Sequence, residues 1–337
     1  MNTAPHRIDV HYHIIPRPYV EALNSRGIEG STAVKFPKWT PHKALKHMDR
    51  SGVATAITSL STPGVWFGDA AFARKLSRIC NEFQAQMATD HPGRFGSFAF
   101  LPLPDVAGAL LELEHALDQL GHDGVVLLTD IDGRYLGDPD YEELFAELDR
   151  REAVVFIHPH TEPDRQRRYE LFHPLLEWPI HTTRAAIDLL YGGRLARYPN
   201  IRYILSHGGG TVPFVAHRIV AGLELVDLAH NGDQGMGLAP EESLTQGLSL
   251  LQNLYYDTAS PGDAHLTALQ EFTGPSQIVF GTDGGWTPPV QTAITIKTLM
   301  AYDGFDEAQM KAVERDNAAA LFPRVKVDTP ILRSRAA

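Results

Sequence analysis

The sequence predicts an α/β fold, a (β/α)8 TIM barrel, and three observations carry that prediction. Short apolar runs alternate with longer amphipathic stretches along the 337 residues, the order expected when each strand is followed by a covering helix. Several runs are continuous and β-branched, as strands buried on both faces must be. His13, His158, His207 and Asp283 each close one of the runs, and the C-terminal strand ends of a barrel are where catalytic groups collect. A doubly wound sheet would alternate too, but a count of eight runs favours the barrel.

The predicted strands cover 8–13, 53–60, 95–101, 124–128, 154–158, 201–207, 254–257 and 277–283. After the first strand, Thr40 can cap a helix reaching Arg50, with Pro41 at its first position and Gly52 just past its end. Further helices read over 69–90, 105–120, 139–151, 182–196, 211–228, 263–272 and 287–301, and 306–321 follows the last unit. Residues 1–337 read as a single barrel domain with insertions at about 14–39, 159–179 and 230–250 and a C-terminal tail over 324–337. No internal repeat divides the chain.

Composition is ordinary for a globular protein, with 43% hydrophobic and 21% charged residues. A net charge of −11 argues against a nucleic-acid partner, which would require clustered Lys and Arg. Cys80 is the only cysteine, so no intrachain disulfide forms, and a reducing cytoplasm is the expected compartment. The first residues show no apolar signal core, and no run approaches the roughly 20 apolar residues of a membrane span.

His11 and His13 stand two residues apart on the first strand. Residues at i and i+2 point to the same face, so both imidazoles can reach one point at the barrel mouth. Imidazole suits zinc and related divalent ions. Two unrelated histidines at a strand end would look the same, but His158, His207 and Asp283 at three further strand ends make coincidence a poor explanation.

This pattern resembles the amidohydrolase superfamily. The resemblance implies His11, His13, His158 and Asp283 as ligands of one divalent metal, zinc first and manganese second, with His207 beside it as acid/base. Binuclear members carry a lysine at the end of strand four, whereas here the run ends Leu127-Leu128-Thr129-Asp130, which implies one metal. The elements His11-Tyr12-His13-Ile14-Ile15-Pro16, Ser206-His207-Gly208-Gly209-Gly210 and Phe280-Gly281-Thr282-Asp283 resemble the aminocarboxymuconate semialdehyde decarboxylase family. Trp178-Pro179-Ile180-His181-Thr182-Thr183-Arg184 is similar to its 6-methylsalicylate decarboxylase-like members. The resemblance implies that Arg218 reaches a neighbouring subunit's substrate, in a homodimer or higher oligomer. Lys35 stands where the semialdehyde decarboxylase has an arginine, and that change favours a related aromatic acid.

The implied reaction is nonoxidative decarboxylation of a salicylate-type or related unsaturated carboxylic acid. Asp283 would carry the proton to carbon, His207 would act as acid/base, and Arg218 and Lys35 would pair with substrate oxyanions. Trp66, Phe67, Trp178 and Trp286 can wall a flat substrate or equally well pack in the core. The alternative is hydrolysis of a lactone, amide or ester with the same parts, and a metal-binding scaffold without activity is the non-enzymatic alternative. His160 can face the pocket or solvent. His6, His42, His47, His91, His115 and His122 read as surface or helix-end residues. Gly208–Gly210 lacks a following Lys-Ser/Thr, so a nucleotide loop is not expected.

Overall fold

A computed structural model describes residues 6–31, 34–160, 173–223 and 240–325. Eight strands form one sheet in which each strand pairs with the next along the chain. They are β1 (Arg7–His13), β2 (Val53–Ser59), β3 (Phe95–Phe100), β4 (Gly124–Leu128), β5 (Val154–His158), β6 (Arg202–Leu205), β7 (Tyr255–Asp257) and β8 (Ile278–Val279). Every pairing is parallel. The sheet closes on itself where Val10 N donates to Phe280 O at 2.9 Å and His13 N donates to Gly284 O at 2.7 Å. Gly285 makes that seam possible. Its φ is +97°, and a Cβ there would lie 2.1 Å from His13 O, so only glycine admits the close approach.

The continuous apolar runs are explained by two cores. Ile8, Val10, Ile57, Phe98, Val126, Phe156, Ile204 and Val279 fill the barrel interior. Ala99, Val125, Leu127, Val155, Ile157, Tyr203 and Leu205 face the helices. Burying each large side chain contributes about 1.5–3 kcal/mol, and the alternation sets which side chains point to the barrel mouth.

The covering helices are α1 (Pro41–Arg50), α2 (Ala70–Asp90), α3 (Val106–Glu114), α4 (Glu142–Arg150), α5 (His173–Tyr191), α6 (Val212–Ala221), α7 (Asp263–Thr273) and α8 (Pro289–Ala301). The predicted cap of α1 forms, with Lys43 N donating to Thr40 Oγ1 at 3.2 Å. Asp69 and Asp105 cap α2 and α3 in the same way. Among the described residues, no helix is long and apolar enough to cross a membrane.

Several expectations need correction. β6 and β8 stop earlier than predicted, because the chain turns at His207 (φ 54°) and Asp283 (φ 56°), both in the left-handed region. Helix α5 starts at His173, so Trp178 and Pro179 lie inside a helix and not in an inserted loop. The rest of that predicted insertion, 161–172, the stretch 224–239 and the tail 326–337 lie outside the described residues. The span 14–39 holds a short helix (Arg17–Asn24) and a hairpin (Gly30–Ser31 with Val34–Lys35). His122 is buried with Nε2 3.1 Å from Asn81 O, His47 meets Tyr12 Oη at 3.1 Å, and His6 meets Glu314 at 3.0 Å. These three are structural partners, which isolated residues in a sequence do not disclose.

Candidate metal centre and active site

His11, His13, His158, His207 and Asp283 meet at the C-terminal mouth of the barrel. His11 Nε2 and His13 Nε2 are 3.1 Å apart. Asp283 Oδ1 lies 3.3 Å from the first and 3.1 Å from the second. His207 Nε2 lies 3.8 Å from the other carboxylate oxygen, Oδ2. Donor atoms of His11, His158, His207 and Asp283 all fall within 4.8 Å of one another.

The residues fit a metal ion. His158 Nδ1 is 2.9 Å from Pro159 O, so it donates there and leaves Nε2 as a bare acceptor. That Nε2 is buried and has no hydrogen-bond partner among the described residues. Burial, together with the neighbouring His13, His11 and His207, holds the His158 imidazole well below its ordinary pKa and therefore neutral. Burial likewise lowers His13. Burial disfavours the His11 cation too, but the Asp257 and Asp283 carboxylates outweigh it and raise that group to about 10. Asp283 is pulled well below the carboxylate range, because contacts with His11, His13 and His207 overcome its burial. His13 and His158, held neutral, and the ionised Asp283 carboxylate are donors a divalent cation requires, and His11 would join them on giving up its Nε2 proton.

Residues that the sequence reading did not single out hold these donors in place. Asp257 is fully buried; its Oδ2 accepts from His11 Nδ1 at 2.6 Å. Its Oδ1 accepts from Gly208 N at 3.2 Å and Ala259 N at 3.0 Å. One carboxylate thus orients a candidate ligand and braces the turn that carries His207. Asp9 plays the matching part for Asp283: it accepts from His11 N at 3.0 Å, Thr282 N at 3.1 Å and Thr282 Oγ1 at 2.5 Å. Ser59 Oγ lies 3.1 Å from His13 Nδ1. Asp257 closes a predicted strand and so carried a readable signal. Asp9 and Ser59 carried none. Asp257→Asn should weaken metal binding about 10- to 100-fold, because such partners fix ligand orientation and basicity. Competition against a chelator measures it, and unchanged affinity would leave Asp257 with a bracing role alone.

The aromatic candidates separate. The Trp178 ring lies 5.5 Å from His158 and 5.9 Å from His207 between centroids, so it roofs the centre. Trp66 lines a small cavity beside His160. Phe67 packs on Phe72 and Trp286 on Phe36. Lys35 is exposed, 3.8 Å from Glu29, and does not join the cluster. Arg218 is exposed on α6.

Residues 8–324 match the amidohydrolase family Amidohydro_2. The chain belongs to the amidohydrolase family. This amidohydrolase is 36% identical over 334 residues to the 6-methylsalicylic acid decarboxylase of Aspergillus aculeatus, covering 95% of this chain and 97% of that one. A crystal structure described as amidohydrolase II matches with a TM-score of 0.84 at 30% identity, covering 94% of this chain and 99% of the other. The dihydroxybenzoic acid decarboxylase of Polaromonas, solved with bound manganese, shares the fold with a TM-score of 0.76 at 22% identity, covering 96% and 97% of the two chains. The amidohydrolase described here is a carboxy-lyase, a nonoxidative decarboxylase.

Proposed function

We propose that this amidohydrolase removes the carboxylate of a salicylate-type hydroxybenzoic acid as CO2, at one divalent ion held by His11, His13, His158 and Asp283. The observation that carries this reading is a buried donor cluster roofed by the Trp178 ring, which is apolar and flat where an aromatic acid would lie. When bound, the ion draws charge from the substrate carboxylate and its neighbouring oxygen. Zinc is the expectation from the donor set, and the manganese of the Polaromonas decarboxylase makes manganese the alternative.

The ring carbon bearing the carboxylate must gain a proton as the C–C bond breaks. The bonding pair then returns to the ring and CO2 departs. Asp283 is held ionised by its imidazole neighbours, so it passes a proton on rather than storing one. Its Oδ2 faces His207 Nε2 across 3.8 Å, a gap that a small side-chain movement or one water closes. His207 therefore supplies the proton and recovers it from solvent, while Trp178 keeps bulk water off the ring.

Metal analysis of the purified protein, followed by CO2 release from a panel of hydroxybenzoates with zinc or manganese loaded, tests the reading. Ring opening of lactones without CO2 release from any acid would move the chemistry to hydrolysis.

The site also draws on a second copy of the chain in this proposal. Phe214 and Arg218 stand four residues apart and share one exposed face of α6, and Phe214, Leu175 and Leu176 are large apolar side chains left in solvent. A two-fold contact there would bring each Arg218 to its partner's substrate. Mixing Arg218→Ala and His207→Ala chains should restore activity, because one site per mixed dimer keeps both residues. No recovery after proven subunit exchange would mean that each chain works alone.

A further inference from the structure

The turn that carries His207 is held by a histidine from outside the cluster. His207, Gly208, Gly209 and Gly210 all have φ between 54° and 72°. Glycine enters that region freely, whereas a histidine there is strained and needs its neighbours to keep it in place. His207 Nδ1 has no hydrogen-bond partner among the described residues, so the backbone has a large share in placing the ring. Gly208 is gripped at both of its backbone polar groups. Its N–H donates to Asp257 Oδ1 at 3.2 Å, and its carbonyl oxygen lies 3.0 Å from His265 Nε2. A carbonyl only accepts, so His265 carries a proton on Nε2 and donates it. His265 sits half-buried in the first turn of α7, the helix that follows β7. Burial lowers its pKa, which the Gly208 bond and Asp257 offset only in part, so the ring is neutral. Phe214 of α6 packs on that ring, 5.5 Å between centroids. A Cβ on Gly208 would lie 2.7 Å from His265 Cε1 and 2.8 Å from Nε2, so the imidazole fills the space that only glycine leaves open.

We propose that His265 is a positioning residue for the reaction: its Nε2–H fixes the Gly208 carbonyl and thereby the aim of the His207 imidazole at Asp283. The two braces of the turn differ in what else they hold. Asp257 gives its other oxygen to His11 Nδ1 at 2.6 Å, so its loss disturbs a candidate ligand and the turn together. The hydrogen bond of His265 goes to the turn and not to a candidate ligand. Without it the turn is held from one side only and can swing about the Asp257 contact. His207 Nε2 already stands 3.8 Å from Asp283 Oδ2, and a proton carrier works only within hydrogen-bond reach of its partner or through one water. A small displacement therefore costs rate while the ion stays bound.

This inference rests on the acid/base reading of His207, so the order of the turn and the turnover are measured separately. His265→Phe keeps a ring against Phe214 and removes the donor. His265→Gln keeps a donor, because the glutamine Nε2 stands as many bonds from Cβ as the imidazole Nε2 does. Hydrogen exchange of the full-length protein should quicken at the amides of 207–210 in His265→Phe and stay near the unmodified rate in His265→Gln. With the hydroxybenzoate that turns over fastest, kcat should fall about 10-fold in His265→Phe, with KM and metal content unchanged, and recover most of that loss in His265→Gln. In a His207→Asn background His265→Phe should cost nothing further, because a residue that acts through His207 has nothing left to aim. Unchanged exchange or unchanged kcat in His265→Phe overturns the proposal. So does an equal loss in the phenylalanine and glutamine variants, or a full 10-fold loss on top of His207→Asn. Full activity in His207→Asn alone sinks the acid/base reading instead, and the exchange rates then decide whether His265 still braces the turn.

Discussion

Asp283→Asn should give a folded barrel that neither retains metal nor releases CO2. The carboxylate faces the Nε2 atoms of both His11 and His13: Oδ1 sits 3.3 Å from His11 Nε2 and 3.1 Å from His13 Nε2. An amide of the same size removes that charge and turns an N–H group, or a much weaker acceptor, toward the ion. Removing a ligand carboxylate also removes the path by which His207 reaches the ring, so two losses fall on one residue. Turnover should drop by roughly 10³-fold or more, the scale of losing both a metal ligand and a proton path. Asparagine tolerates the left-handed backbone that Asp283 occupies (φ 56°), so the turn should survive and the melting temperature without metal should change little. Metal content by elemental analysis and CO2 release by a coupled assay give the two readouts. Full metal content with full activity would remove Asp283 from both roles.

The barrel was legible because burial on both strand faces forces long apolar runs, and those runs are local. The ends of β6 and β8 were not, because His207 and Asp283 leave the strand through left-handed turns. Those turns are imposed by partners far away in the chain. Asp257 grips Gly208 N across 49 positions, and Asp9 grips Thr282 across 273. A histidine or aspartate that closes a strand can be read in sequence, whereas the contact that joins Asp9 to Thr282 cannot. Trp178 was readable as an aromatic near the site. Its placement over His158 depends on α5 beginning before Pro179, a helix that the proline obscured. Lys35 was suggested by the resemblance, as the position of the semialdehyde decarboxylase's arginine, and the hairpin that carries it leaves its side chain 87% exposed.

His207→Asn should keep the metal and lose the rate, by about 10²- to 10⁴-fold. The contacts separate the two roles. Asp283 turns Oδ1 toward His11 and His13 and leaves Oδ2 for His207 Nε2 at 3.8 Å, so His207 meets the face of the carboxylate turned away from those two imidazoles. His207 Nδ1 has no partner among the described residues, unlike the Nδ1 atoms of His11 and His158, which are fixed by Asp257 and Pro159. Ligand imidazoles are normally anchored in that way, whereas a proton carrier gains from freedom to turn. Asparagine is the better probe than alanine. His207 has φ 54°, and asparagine enters that region readily while alanine does not, so the Gly208–Asp257 contact should persist and the comparison isolates the imidazole. The variant should hold one metal per chain by elemental analysis while CO2 release falls. Loss of the metal on this substitution would make His207 a ligand and transfer the proton-carrying role elsewhere in the cluster.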